Sequence, residues 1–454
     1  MPRQTKKTTT KKPHTTKPVT KVEPSLEETK LEELHDKEYV PPTEKEKFME
    51  EIKKMPDGAT TSDARDEEHK FWRYEPVIGT GVVVPKDYNH PIQEDLTVDK
   101  ISKVPANLPR EDMKYVIVDI DDEKEMDDVY NLLAKNYVED DDATLRFDYK
   151  IDFIKWCLKV PNYQRNWFIG IRLENTNELI GFITGVPSLI KIYDKKVPVA
   201  EINFLCIKKE MRKFKLAPLL IKEVTRQVHL YGIFQAVYTS GTDLPNVVST
   251  AQYFHRPLNP KKLDAIGFSS CNERLTMQRA VKLYKLPDEP VTPGFRRMEV
   301  KDAKEVTEKL NIFLQRHHDL TVLFDEETVI HSFMTRENIV ESFVIERDGK
   351  IVAFSAYYIL PSSILNSYEY KELYVAYQYY YFYEADVDAK AFFKDMLICA
   401  NKSKCDVFNC LNLSQNTKYI ADLLFVPGSG YLKYYLYNWA CPKVNPDKLD
   451  IILQ

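Results

Sequence analysis

Residues 200–241 read AEINFLCIKKEMRKFKLAPLLIKEVTRQVHLYGIFQAVYTSG. Ala200 to Ile207 is a buried strand by its apolar text, Ala217 to Gly232 carries apolar residues at helical spacing and stops at a glycine, and Gly232 to Gly241 is a further strand. Between the first strand and the helix lies a basic loop, Lys208-Lys209-Glu210-Met211-Arg212-Lys213-Phe214-Lys215-Leu216-Ala217. Backbone N–H groups at a helix start, with the helix dipole behind them and lysines beside them, stabilise anionic oxygens. On the pattern alone, a loop that binds nothing is the commoner outcome.

Upstream, YVIVDIDD (115–122) reads as a strand, EKEMDDVYNLLAKNYV (123–138) as a helix, and WFIGIRLENTNELIGFITGV (167–186) as two strands about a turn at Asn175 to Asn177. Downstream the same order returns. FRRMEVKD (295–302) is followed by a helix (303–320), a hairpin about Asp348-Gly349 and the aromatic strand YVAYQYYYFYE (374–384). A helix around 388–402 and the strand CDVFNCLNL (405–413) complete the repeat. The duplication is one of pattern, not of residues. Together these predict an α/β fold, in the α+β sense, of two pseudo-symmetric halves that share one continuous central sheet. In the second half the segment between Tyr383 and Lys390 is acidic (Glu384, Asp386, Asp388), so only the first half offers a site for anions.

Residues 1–65 form a Thr/Lys/Pro-rich and then acidic arm that buries too little apolar surface to fold, so disorder is expected there. The first 22 residues hold seven Lys or Arg and no acid, which conceals a basic arm behind a net charge of only -5. Such an arm suits ribosomal RNA or acidic lipid, and equally a solubilising tail without a partner. The remainder divides at 66–285 and 286–454. Prolines 76, 85, 91, 105 and 109 mark a long irregular wrap before the first strand. No run is long and apolar enough to span a bilayer or act as a secretory signal, so a cytoplasmic location is expected; a monomer is the default expectation. The seven cysteines are scattered without a CxxC pair, and so read as reduced core thiols rather than metal ligands.

The first half resembles the acyl-CoA-binding N-acetyltransferase (GNAT-like) fold, in which such a basic loop receives the pyrophosphate of coenzyme A. More specific text narrows this. EINFLCI, the string from Arg212 to Gly241, YFHRPLNPKKL (253–263), KYYLYNWACP (433–442) and the final ILQ together resemble the glycylpeptide N-tetradecanoyltransferases, the N-myristoyltransferase family, from about Lys70 to Gln454. The resemblance implies transfer of myristate from myristoyl-CoA, as co-substrate, to the α-amine of N-terminal glycine peptides. It places acyl-CoA in the first half on Lys70, Phe71, Trp72, Phe204, Leu205, Cys206, Ile207, Lys213, Lys215, Leu216 and Ala217. The N–H groups of Phe204 and Leu205 would form the oxyanion hole, the α-carboxylate of Gln454 the base, and Asn203 and Thr239 the positioning groups on the amine's path.

The second half would build much of the peptide groove and supply that carboxylate. Matching groove positions are Tyr137, Phe147, Tyr253, His255, Ser362, Tyr377 and Asn409, with Asp140 and Asp142 meeting substrate lysines. No metal or resident cofactor is implied, because thioester aminolysis needs only a base and an oxyanion hole. Pro2 excludes the chain as its own substrate. Gly428-Ser429-Gly430 departs from the family's usual Gly-Asp-Gly, which predicts a relaxed preference for downstream Lys. Lys213 and Phe214 replace a small polar and a basic residue in the coenzyme A loop. A non-catalytic peptide-binding relative, an RNA-associated protein acting through its arm, and an acetyltransferase using a shorter acyl-CoA are the competing alternatives.

Overall fold

Two hairpin turns frame the molecule. Asn177 (φ 56°) closes one, and the pair Asp348 (φ 49°) and Gly349 (φ 73°) closes the other in a two-residue loop between Arg347 and Lys350. Successive positive φ angles twist the chain in the sense that paired strands require, and Asp-Gly is the pair that adopts them at least cost. The computed structural model describes residues 71–79, 81–138, 144–269 and 276–454, together with Lys47 and Glu50. Phe48–Gln454 is one compact unit, distinct from Met1–Lys47. The disorder expected of residues 1–65 falls almost wholly outside the described residues. Lys47 and Glu50 depart from it, since both are helical; Glu and Lys are strong helix formers even where no core is available.

The first half of the chain contributes β1 (Met113–Ile117), β2 (Leu145–Phe147), β3 (Phe168–Leu173), β4 (Leu179–Ile192), β5 (Lys195–Ile207), β6 (Ala236–Ser240) and β7 (Ser249–Pro257). The second contributes β8 (Phe295–Arg297), β9 (Leu320–Leu323), β10 (Val340–Arg347), β11 (Lys350–Ile364), β12 (Glu372–Tyr383), β13 (Val407–Leu411), β14 (Val426–Tyr437) and β15 (Leu449–Asp450). The helices are α1 (Glu123–Asn136), α2 (Ile151–Leu158), α3 (Leu216–His229), α4 (Pro260–Ala265), α5 (Met277–Leu283), α6 (Ala303–His317), α7 (Glu326–Phe333) and α8 (Ala389–Lys402). α1 starts where the Asp122 side chain accepts the N–H of Glu125, and it buries Met126, Val129, Leu132 and Leu133 on one face. Each such side chain contributes about 1.5–3 kcal/mol by leaving water.

The fifteen strands of the described residues join one sheet, whose main path runs β1-β3-β4-β5-β6-β14-β7-β13-β12-β11-β10-β8. The path is symmetric about its centre. β5 and β6 pair in parallel on one side, as β12 and β13 do on the other. At the centre the halves exchange strands: β14, from the second half, pairs with β6, while β7, from the first, pairs with β13. β14 and β7 then pair antiparallel and close the sheet. The largest apolar core spans both halves, from Phe153 in α2 to Tyr358 in β11. The chain end is sheet as well. β15 pairs in parallel with β9, and Ile451 is fully buried.

Candidate active site

β5 is regular up to Asn203 and again from Cys206. Asn203 faces Thr184 and Cys206 faces Phe182, so Phe204 and Leu205 together oppose Ile183. This is a β-bulge, which leaves the extra residue outside the ladder and re-aims its backbone. Phe204 takes φ 54° there, a left-handed conformation costing a bulky residue about 1–3 kcal/mol. Packing holds it in place: the Phe204 ring is fully buried, edge-on to Tyr149 at 5.3 Å and beside Tyr137 at 6.1 Å.

The bulge and the chain terminus meet. The Asn203 side-chain amide donates to the main-chain oxygen of Gln454, and its Oδ1 accepts the N–H of Phe204 at 2.9 Å. These two contacts fix which way the amide points. One of the two expected oxyanion donors, the Phe204 N–H, is therefore already engaged by Asn203. A thioester oxygen would have to share it or displace that bond. The terminal residues are held by two tyrosines: Tyr380 Oη accepts the N–H of Ile452 at 2.9 Å, and Tyr379 Oη accepts from the Gln454 side-chain amide at 2.6 Å.

A cavity of about 1180 Å³ opens on this junction. Its apolar wall comes from β4, β5, β6 and α3 through Ile183, Ala200, Ile202, Ala236, Ile221 and Val224. Trp72 closes part of it, its ring stacked on Tyr238 at 5.7 Å, and Tyr238 in turn stacks on Tyr435. The opposite wall is aromatic and polar. Tyr137, Phe147, Tyr253, His255, Ser362, Tyr377 and Asn409 all line the same cavity, as do Asn203, Phe204, Leu205, Thr239, Ser429 and Gln454. Phe147 arrives through β2, which pairs Phe147 with Ser362 on β11.

His255 Nδ1 lies 2.7 Å from Asn409 Oδ1, and an amide oxygen only accepts, so the proton sits on Nδ1 and Nε2 is the free acceptor. Burial holds the His255 pKa below the ordinary value, which keeps the ring neutral. Gly428 is required beside it. A Cβ there would lie 2.2 Å from His255 Nε2.

The expected coenzyme A residues are placed differently. Phe71, Cys206, Ile207, Lys213, Lys215, Leu216 and Ala217 are not on the cavity wall. Cys206, Ile207 and Leu216 are buried in the cores flanking β5, whereas Lys213 and Lys215 are exposed on the loop that follows. Lys215 takes φ 53° as the N-cap of α3 and provides no side-chain cap, and the first turn holds no acid. The N–H groups of Leu216 and Ala217 are available to an external anion, about one turn before Ile221 on the cavity wall. The matching helix of the second half differs: Asp388 caps α8 by accepting the N–H of Ala391 at 3.0 Å. Lys70, Asp140 and Asp142 lie outside the described residues.

Sequence reasoning missed Tyr149, Tyr358, Leu373, Val375 and Phe268 on the wall, and Tyr379 and Tyr380 behind the terminus. The aromatic run at 374–383 signalled a wall but not which hydroxyls meet Gln454. No group of His, Cys, Asp or Glu suited to a metal occurs among the described residues. The six described cysteines are free and buried; Cys271 lies outside them.

A sheet that opens a bulged strand beside an uncapped, lysine-flanked helix, with apolar and aromatic walls meeting at Gln454, suits an acyl-transferring enzyme. Comparison with known proteins gives the family. The myristoyl-CoA:protein N-myristoyltransferase N-terminal domain matches residues 91–251, and the C-terminal domain of the same family matches residues 265–451. The chain is 41% identical over 409 residues to a probable glycylpeptide N-tetradecanoyltransferase of Caenorhabditis elegans, covering 89% of this chain and 90% of that one. It is 42% identical over 388 residues to the Drosophila melanogaster glycylpeptide N-tetradecanoyltransferase, covering 84% and 80% respectively. The crystal structure of Saccharomyces cerevisiae N-myristoyltransferase with bound myristoyl-CoA superposes with a TM-score of 0.79 at 36% identity, over 85% of this chain and 97% of that one. The chain belongs to the myristoyl-CoA:protein N-myristoyltransferase family and is an acyltransferase.

Proposed function

We propose that this enzyme transfers a tetradecanoyl group from its coenzyme A thioester to the α-amine of an N-terminal glycine, with the Gln454 carboxylate as base. The observation that carries this is the junction of Asn203, the Phe204 bulge and the Gln454 carboxylate, set where the apolar and aromatic walls meet. A peptide α-ammonium has a pKa of about 7.7–8.0, so at neutral pH a base must take a proton before the nitrogen can attack. Gln454 accepts it. The amine then adds to the thioester carbon, negative charge gathers on the carbonyl oxygen beside the bulge, and the C–S bond breaks. The departing thiolate takes the second proton from the attacking nitrogen, so coenzyme A leaves as the thiol and the amide is complete.

Lys213, Lys215 and the start of α3 would hold the phosphates, with Trp72 covering the acyl chain. The first half, 66–285, thus serves acyl-CoA, and 286–454 supplies groove and base. Thr239 would orient the amine. Tyr253, His255, Ser362, Tyr377 and Asn409 would seat the peptide, and walls close enough to exclude a side chain would select glycine. Ser429 puts a neutral group where a carboxylate would favour lysine, and substrates without downstream Lys should be accepted. The enzyme is assigned to the cytosol as a monomer, with the basic arm as its contact to ribosomal RNA.

The test is single-turnover transfer from tetradecanoyl-CoA to peptides beginning with Gly or Ala, with acetyl-CoA as competitor. Transfer to Gly alone, unaffected by acetyl-CoA, is expected, since each buried CH₂ is worth about 0.8 kcal/mol. Preference for acetyl-CoA would point to a short-chain acetyltransferase instead. Removing residues 1–65 should abolish RNA association and leave transfer intact.

A further inference from the structure

Beneath the terminal strand lies a second, much smaller void of about 30 Å³. It shares Tyr253, Tyr358, Tyr377, Asn409, Leu432 and Leu453 with the wall of the substrate cavity. Two buried polar atoms belong to residues that line it, and neither has a hydrogen-bond partner among the described residues: Tyr434 Oη and Asp450 Oδ2. Tyr434 is fully buried and Asp450 is 2% exposed. Each such atom left unpaired costs roughly 1–3 kcal/mol, more for a charge. A polar void holds a water when it offers at least about 10–15 Å³ and two or more polar partners.

The neighbouring groups do not supply the missing donor. His318 Nδ1 lies 3.0 Å from the carbonyl of Leu314, which can only accept, so the proton is on Nδ1. Its Nε2 is then an acceptor, and the Ser414 hydroxyl donates to it at 2.8 Å. Ser414 is also a hydrogen-bond neighbour of the Asp450 carboxyl, but Oδ2 itself has no partner within bonding distance among the described residues. His318 Nε2 is 3.9 Å from Asp450 Oδ2, too far for a hydrogen bond. Tyr381 Oη donates to Asn416, and Thr321 Oγ1 donates to the main-chain oxygen of Asp450.

We infer that this void is a built water site, in which about one or two waters bridge Tyr434 Oη and Asp450 Oδ2 and fasten β15 to β14. The Tyr434 hydroxyl donates into the site, and a water donates in turn to the carboxyl oxygen. The site lies four residues before the terminus, so it complements Tyr379 and Tyr380 in holding Ile451 to Gln454 against the substrate cavity. Its kinetic consequence rests on Gln454 being the base. The water itself does not.

The experiment is a crystal structure of the enzyme at about 1.5 Å, joined to hydrogen exchange and single-turnover kinetics on Tyr434→Phe and Asp450→Asn. Expected is density within about 2.6–3.2 Å of both atoms. Tyr434→Phe should weaken that density, speed exchange of the Ile451 to Gln454 amides by about fivefold, and slow transfer while acyl-CoA affinity stays within about twofold. Asp450→Asn, which still bonds to water, should keep the density. Faster exchange without slower transfer would uphold the water site and count against Gln454 as base. A void without density, or wild-type exchange in Tyr434→Phe, overturns the proposal.

Discussion

Asn203 has its amide nitrogen on the main-chain oxygen of Gln454 and its oxygen on the bulge, so one side chain would couple the proposed base to the backbone proposed to stabilise charge. A hydrogen bond to a charged group is worth about 1.5–3 kcal/mol. Asn203→Leu should therefore slow single-turnover transfer by about 10- to 150-fold while acyl-CoA binds as before. Equal losses in binding and rate would show that the residue only supports the strand. Gly428 is constrained differently. A methyl group at Gly428 meets the His255 ring and must break its contact with Asn409, so Gly428→Ala should raise the peptide KM by about tenfold and leave acyl-CoA affinity unchanged. Titration of peptide binding by the two enzymes checks this. Neither constraint was legible in the sequence. That Phe204 sits at positive φ follows from its burial against Tyr137 and Tyr149, and that Gly428 faces His255 follows from a strand pairing made across more than 170 residues.

Secondary elements carry two further expectations. α3 begins without a side-chain cap, between exposed lysines, while α8 is capped by its own aspartate. Lys215→Glu should weaken acyl-CoA binding by about tenfold at low salt and by less at high salt, because exposed charges are screened; binding isotherms at two ionic strengths decide. The contrast between basic and acidic loops was readable directly from Lys208–Ala217 and Glu384–Asp388. β15 should respond to pH. Burial pushes the Asp450 carboxyl up to about 7, so the folded state holds a proton that the unfolded chain releases near 3.8. Its favourable contribution is complete below that unfolded value, falls as pH climbs toward about 7, and is flat above. The Tm difference between wild type and Asp450→Asn should shift against wild type from pH 5 to pH 8, and a pH-independent difference would contradict the assignment. The hairpins at Asn177 and Asp348-Gly349 were plain from turn chemistry. The functions of Tyr379 and Tyr380 were not, since every position in 374–383 looks alike until the terminus arrives beside two of them.

At the scale of the molecule, the halves read from the repeated pattern exchange β7 and β14, and one core runs through both. Pattern repeats could predict two similar halves but not the exchange, because strand order at the centre depends on pairings between distant segments. Calorimetry should accordingly record a single unfolding transition for the folded core, and two separable transitions would contradict the shared sheet. The same architecture brings the last residue of the chain to the bulge of β5, some 250 positions earlier. The most direct test removes only Leu453 and Gln454 and follows single-turnover transfer beside acyl-CoA binding. Binding near the wild-type level with transfer lowered by about a hundredfold or more is predicted, as for loss of a general base; transfer at the wild-type rate would place the base elsewhere.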